Sequence, residues 1–505
     1  MTRFFVGGAV CAFAAMTAAP VWAQSAKDQP QRDTNQPGAT AERAVNAAPI
    51  SESYPSVAIG DGTTTAGYNQ SRWVEDWTKY RDPAKRDDFL DSLKYIPIAA
   101  DGDVYATLAG EARLRMNLTT NPNLRDSEAQ RQDILRLSGS ADIHLGKHVR
   151  VFGELAHGGL DGVNLGTPAA TLKNDLVVQQ SFVDVTGEIA NLDLGIRYGR
   201  QTFSDGSQLL VVPRDNNTIL FTYNGVRAWA RSGTARIDVF DFKPTQLGSG
   251  GTGDDLNSDG RRFSGISTGF VLPETLFGKS KLFFDPFVWR LRDNSTTWGP
   301  NTGREVRNFY GVHTWGDIGP VNIDWMANHQ EGSFDGRDLS AWMVTLAQTY
   351  RLGEGRTAPR VGLHADYASG GGSYGTGTLK TALAPFGNNI NYSYQLFATL
   401  TNFVAVAPSF SFSLFDKARV TAEYQLSWRD TNTDAVYRAN GTPFTGTELI
   451  EDKKIADTAR LQLVYPITSR LSFTGRYEHL MAGPSLEQAG YKNSDFLAGW
   501  ISFRF

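Results

Sequence analysis

Arginines recur two apart along this chain. Arg113 and Arg115 flank Leu114, with Glu111 just upstream, and Arg136 stands between Leu135 and Leu137. The same alternation places Arg150, Arg197, Arg227, Arg231, Arg236, Arg290, Arg360, Arg419, Arg460, Arg470 and Arg476 on one parity of their segments. Glu111, Asp142, Glu154, Asp184, Asp193, Asp238, Asp324, Asp366, Glu423 and Glu478 share that parity. A guanidinium is a planar fork that grips a carboxylate at two points and keeps its charge at any relevant pH. One arginine beside one acid braces a wall. An excess of arginine, in a chain whose net charge is -4, favours anions if it lines a pore.

A spacing of two is the side-chain period of a strand. In 104–117, Val104, Ala106, Leu108, Ala112, Leu114 and Met116 oppose Tyr105, Thr107, Glu111, Arg113, Arg115 and Asn117. Val420, Ala422, Tyr424, Leu426 and Trp428 oppose Arg419, Thr421, Glu423 and Gln425. The chain ends the same way: Leu497, Gly499, Ile501, Phe503 and Phe505 share a face, with Phe496, Ala498, Trp500, Ser502 and Arg504 on the other. A terminal aromatic strand of this kind looks like the closing strand of an outer-membrane barrel.

Short connections fall near 146–148, 188–191, 232–234, 277–280, 317–320, 352–359, 416–417 and 466–469. Long polar ones fall near 119–132, 158–175, 201–224, 244–261, 293–307, 329–338, 369–402, 430–457 and 480–494. The two kinds alternate and imply about eighteen strands, with both termini on the short-turn, periplasmic side. The expected fold is all-β, a transmembrane antiparallel β-barrel. A soluble sandwich or propeller also alternates. Its apolar face would be core, whereas here that face is thin and rich in Val, Leu, Ala and Gly, with Tyr and Trp near strand ends. About eighteen strands enclose a space too wide for side chains to fill, so water fills it unless loops intrude.

Composition agrees. Mean hydropathy is -0.32, and beyond the N-terminus no apolar run reaches the roughly 18 residues of a membrane helix. The mild net charge gives no case for nucleic acid. Residues 1–23 read as a secretory signal, with Arg3, the apolar stretch from Phe4 to Ala19, and Ala23 before the cut. The single cysteine, Cys11, lies inside it, so a mature chain has no disulfide and no thiol chemistry. Residues 24–92 read as a flexible periplasmic leader, in which 73–92 forms a short helix or lies against the barrel mouth. The barrel then spans 93–505.

Several stretches resemble the alginate-export family of outer-membrane proteins. They are LDLGIRYGRQTFSDGSQLLVVPRDNNTILFTYNGVRAW (192–229), DILRLSGSADIHLGKHVRVFGEL (133–155), QQSFVDV (179–185), LKYIPIAADGDVYATLAGEARLR (93–115) and parts of 316–353. The resemblance implies a monomeric barrel of about eighteen strands, embedded in outer-membrane lipid. It further implies an arginine-rich pore passing an anionic polysaccharide or oligosaccharide without catalysis or cofactor, with periplasmic secretion or uptake partners. By motif position Arg113, Arg115, Arg136, Arg197, Arg200, Arg214 and Arg227 carry over as pore or pore-loop charges. Arg360, Arg460, Arg476, Glu111 and Asp193 join them from parity. One departure concerns the periplasmic plug. The alginate exporter closes that mouth with a long turn before its last two strands; here the connection is Pro466-Ile467-Thr468-Ser469. That mildly favours an uptake porin for small anionic solutes.

Other motifs carry less. Gly265–Gly269 matches G-x-S-x-G inside a strand pattern rather than at a strand-to-helix turn. Gly248–Gly253 matches G-x-G-x-x-G with no helix after it. Asp255–Gly260 opens like a calcium loop, but Ile266 stands where the bidentate Glu belongs. A barrel enzyme needs Ser, His and acid at one rim, and no such set is evident.

Overall fold

The computed structural model describes residues 71–505 apart from 100, 101, 208, 279, 376, 416 and 440. The secretory segment and the leader up to residue 70 therefore lie outside the described residues. Eighteen long strands form the wall. The first nine are β1 (Val104–Thr119), β2 (Gln130–Leu145), β3 (Val149–Val163), β4 (Asn174–Ile189), β5 (Leu192–Gln201), β6 (Tyr223–Arg231), β7 (Ala235–Gln246), β8 (Arg261–Val271) and β9 (Ser280–Trp298). The rest are β10 (Asn301–Ile318), β11 (Val321–Phe334), β12 (Arg337–Arg351), β13 (Arg360–Ala368), β14 (Phe403–Leu414), β15 (Ala418–Trp428), β16 (Lys454–Pro466), β17 (Leu471–Ala482) and β18 (Ser494–Arg504). Each pairs antiparallel with its sequence neighbours, and β18 pairs with β1 from Glu111↔Arg504 to Thr119↔Phe496. The sheet closes on itself, and no wall strand is left with an open edge.

The pleat sorts the side chains as their period demands. Leu114 (60% exposed), Leu137, Leu461 and Ile501 face outward, while Glu111, Arg136, Arg460 and Arg504 on the alternate parity are buried inside. Phe505 extends the closing ladder: its amide donates to Gly110 O at 3.1 Å and its carbonyl accepts from Gly110 N at 2.9 Å. Its ring lies where a Cβ on Gly110 would come within 2.6 Å. On the inner wall Trp229 covers Gly195 and Phe287 covers Gly311, each leaving 2.1 Å for an added Cβ.

Three expectations need correction. Long loops at 293–307 and 329–338 are absent. β9 and β10 run on to a turn at Gly299-Pro300, and β11 meets β12 at Asp335-Gly336. These ribbons are polar on both faces, so the apolar alternation that marks a strand in lipid fades while the hydrogen-bonded ladder continues. Arg290 faces outward beside the half-exposed Val288, because Asp285, Phe287, Trp289 and Leu291 take the inner parity. Finally, much of the interior is dry. The loops 202–222 and 369–402 fold inside and bury Phe203, Leu210, Val211, Phe386, Tyr392 and Phe397 against Phe240, Phe242, Phe263, Trp289 and Phe309 of the wall. Of water and intruding loops, the loops take this sector.

Residues 71–97 run across the mouth that carries the short turns. Short 3-10 turns at Arg72–Val74, Thr78–Arg81, Pro83–Lys85 and Phe89–Leu93 compose this strap. Pro83 interrupts helical hydrogen bonding, and Asp88 caps the last turn by accepting from Leu90 N at 2.8 Å and Asp91 N at 3.2 Å. Ile96–Pro97 then pairs with Tyr105 and Ala106 of β1.

Candidate functional site: an arginine cluster at the barrel seam

The seam between β18 and β1 carries the densest charge. Glu111 projects inward from β1 and meets Arg72 Nη2 at 2.8 Å, Arg113 Nε at 2.9 Å, Arg504 Nε at 3.4 Å and Arg136 Nη1 at 3.6 Å. The strap supplies Arg72, β1 supplies Arg113, β2 supplies Arg136, and the end of β18 supplies Arg504. Arg113 is two residues from Glu111 on one face, and Arg136 is the register partner of Arg113 across the ladder. Like charges directly opposite repel, so this wall needs carboxylates in front of it.

The second carboxylate arrives from far along the chain. Loop 202–222 leaves β5, crosses the lumen and lays its tip on the seam. Asp215 accepts from Arg113 Nη2 at 2.8 Å and from Arg136 Nη1 at 2.7 Å. The tip's carbonyls take up further donors: Arg136 Nε reaches Thr218 O at 2.7 Å and Arg115 Nη1 reaches Asn216 O at 2.9 Å. Arg476 of β17 donates to Asn216 Oδ1 at 3.2 Å and to Gln462 at 2.5 Å. The guanidinium groups of Arg115 and Arg476 both lie 4.9 Å from the Trp500 ring. Burial opposes ionisation of Asp215, but Arg113 and Arg136 overcome it and hold its carboxyl down at about 2. Around this tip Arg72, Arg113, Arg115, Arg136, Arg476 and Arg504 face Glu111, Glu154 and Asp215. Cations exceed anions there two to one on these residues.

Residues 104–499 match the alginate export family. The chain belongs to this family. No curated protein matches it. Among solved structures, OccAB1 of Acinetobacter baumannii superposes with a TM-score of 0.54 at 10% identity, over 82% of this chain and 99% of that one. A BenF-like porin from Pseudomonas fluorescens Pf-5 gives 0.51 at 12%, over 79% and 98%. OccK2 (OpdF) of Pseudomonas aeruginosa gives 0.50 at 12%, over 79% and 97%. At such identities these likenesses show the fold, a porin-type barrel. Family and fold together make this an alginate export family barrel of the outer membrane, of porin and transport type.

Other arginines singled out in the sequence of this family member lie elsewhere. Arg197 of β5 grips Asp184 with two bonds of 2.7 Å and stacks 3.6 Å from the Trp73 ring and 3.8 Å from Phe182. Arg227 binds Asp238 at 2.6 Å, and Arg236 bridges Asp238 and Asp205 at 2.9 and 2.8 Å. Arg460 pairs with Glu423 and donates to Asn391 O at 2.7 Å, fastening loop 369–402 to the wall. Arg360 lies at the short-turn end of β13. Asp193, exposed at the same rim, stands opposite Arg231 in register. Arg214 sits in loop 202–222 with a left-handed φ of 60°, 5.4 Å from the Phe221 ring.

Arg200 departs from the expected lining. It shares parity with the exposed Ile196 and Tyr198 and donates to Asn224, Val178 O and Asp255 O. Loop 247–260 thus folds down over it on the outer face. The GRQ element tempted a lumen reading because Arg197 is inward, but three residues on is the opposite face of a strand.

Arg72, Arg504 and Asp215 escaped the sequence reading. Arg504 had a signal, since it lies on the inner parity of β18. Asp215 sat within the PRD element quoted for the resemblance. Nothing local in the strap announced Arg72 or Trp73. The strap's deep end holds by Arg72, by Trp73 packed edge-on against Phe182 at 5.9 Å, by Arg150 Nη1 on Trp73 O at 2.9 Å, and by Ser71 bonded to Thr202 at 3.0 Å. Its rim end holds by Arg470 on Asp88 and Asp91 and by Lys94 lying 5.9 Å from the Phe505 ring.

Proposed function

We propose that the protein is an outer-membrane channel for an anionic polysaccharide or oligosaccharide of uronate type, with the seam cluster as its selective element. The observation that carries this is the guanidinium excess around Glu111 and Asp215. A carboxylate on Arg113 and Arg136 is the arrangement a uronate side group would adopt, and Asp215 holds that place in the resting loop. Fixed cations in a low-dielectric wall attract anions and let them pass when several weak sites lie in series. Arginine suits this better than lysine, since its fork matches a carboxylate. In this reading the short turns and both ends of the described chain face the periplasm, the long loops face outside, and the barrel works as a monomer.

Planar-bilayer reversal potentials in a KCl gradient test the proposal. Wild-type channels should prefer anions and be blocked by alginate. Replacing Arg113, Arg115 and Arg136 by Gln should weaken both properties, and an unchanged reversal potential would count against the cluster. The four-residue turn between β16 and β17, 467–470, supports a second reading, an uptake porin for small anionic solutes. Block by single uronates but not by chains would favour that reading.

A further inference from the structure

A second charged recess lies away from the seam, on the inner wall at the short-turn mouth. Its cavity of about 220 Å³ is lined by Lys281, Asp317, Asn322, Thr349, Arg351 and Arg360 among others. All six project inward from the ends of β9 to β13. Arg351 and Arg360 are register partners across the β12–β13 ladder, and like charges directly opposite destabilise a sheet. Lys281 is the register partner of Asp317. The Asp317 carboxylate also accepts from Asn322 Nδ2 at 2.8 Å. Three cations thus share a recess with one carboxylate. Nε of Arg351 is buried without a hydrogen-bond partner. A buried donor in that state costs roughly 1–3 kcal/mol unless a ligand satisfies it.

We propose that this recess is a binding site for one carboxylate-bearing sugar residue. The carboxylate sits between Arg351 and Arg360, near Lys281, and relieves the cross-strand repulsion. The hydroxyl of Thr349 and the amide of Asn322 face the ring hydroxyls. The volume admits a single pyranose ring rather than a chain folded on itself. The site lies in a different sector from the seam, so an anionic chain meets two separate grips on its way through. The sugar-acid ligand rests on the uronate reading above; the anion recess itself does not.

The test is calorimetric titration of the purified full-length protein with glucuronate, with glucose and inorganic phosphate as comparators, beside reversal potentials of wild-type channels. Glucuronate should bind, glucose should not, and Arg351→Gln and Lys281→Gln should each weaken one binding step tenfold or more. Arg351→Lys, which keeps charge without the fork, should recover part of the loss. Heat-modifiable gel mobility shows which variants have folded. The proposal is overturned if wild type and folded variants bind glucuronate equally, if glucuronate does not bind, or if phosphate binds there and glucuronate does not. Arg351-dependent binding without anion preference in the wild-type channel would sink the uronate-channel reading and leave the recess standing.

Discussion

Trp73→Ala should release the strap from the barrel. The indole is 8% exposed and is held between Phe182 and the Arg197 guanidinium. Truncating a buried Trp costs about 3–5 kcal/mol, and a cation–π contact adds roughly 0.5–2 kcal/mol. The mouth is wet at its rim, so the lower end, about 3 kcal/mol, is the working figure. That lowers the ratio of docked to undocked strap by about two powers of ten. The rim anchors cannot compensate. Asp88 is exposed, and ion pairs of that kind contribute about 0–1 kcal/mol. Trypsin reads the outcome, because the Arg72 side chain is buried on Glu111 while the strap is docked. Cleavage after Arg72 in reconstituted protein should accelerate strongly in Trp73→Ala, and single-channel current should rise. Equal cleavage rates in wild type and variant would refute the view that this ring holds the strap.

Leu461→Arg, on the lipid face of β16, should cost about 2–4 kcal/mol near mid-membrane. Leu449→Arg, 81% exposed on the loop before β16, should be silent; urea titrations of refolding into vesicles compare them, and equal midpoints would undo the facing assignment. Gly195→Val drives a side chain into the Trp229 ring and should destabilise by about 1–3 kcal/mol in the same assay. Lys94 gives a pH signature: burial pushes its ammonium down to about 8. Between about 8 and the ordinary lysine value near 10.5 the released strap binds the extra proton, so docking strengthens as pH rises through that window. Tryptic cleavage after Arg72 should therefore slow from pH 8 to pH 10, once corrected for trypsin's own pH profile, and Lys94→Met should flatten the trend.

The barrel was legible because lipid imposes a rule on every second residue. Leu108, Leu114 and Ile501 obey it, and the alternation of short and long connections followed the turns themselves. Polar ribbons escaped, since Thr296, Thr297 and Arg304 stand clear of lipid and alternate nothing. Loop fate was illegible for another reason. Phe386 and Tyr392 are buried because Phe240, Phe263 and Trp289 stand opposite them across the lumen, a relation that exists only after closure. Parity could show that Arg197, Arg227 and Arg460 face inward. It could not show that each meets an acid and serves as a brace, while Arg113 and Arg136 meet a loop tip amid an excess of cations.

The interior is therefore divided. From β6 to β11 the inner wall is aromatic and packed against intruding loops. From β17 through β18 to β2 it is guanidinium-rich, and the loop tip rests on it by hydrogen bonds rather than by apolar burial. Opening the aromatic side would expose Phe240, Phe263, Trp289 and Phe386 together, at about 25 cal/mol for each Å² of apolar surface. Opening the arginine side exchanges Asp215 and backbone carbonyls for water or for a ligand's oxygens, a near-balanced exchange of hydrogen bonds. A path for an anion should thus form along the seam, where the resting contacts are already those a carboxylate makes. Crosslinking loop 202–222 to β1 should then block passage, whereas crosslinking loop 369–402 to β15 should leave it intact; the reverse pattern would place the path on the aromatic side.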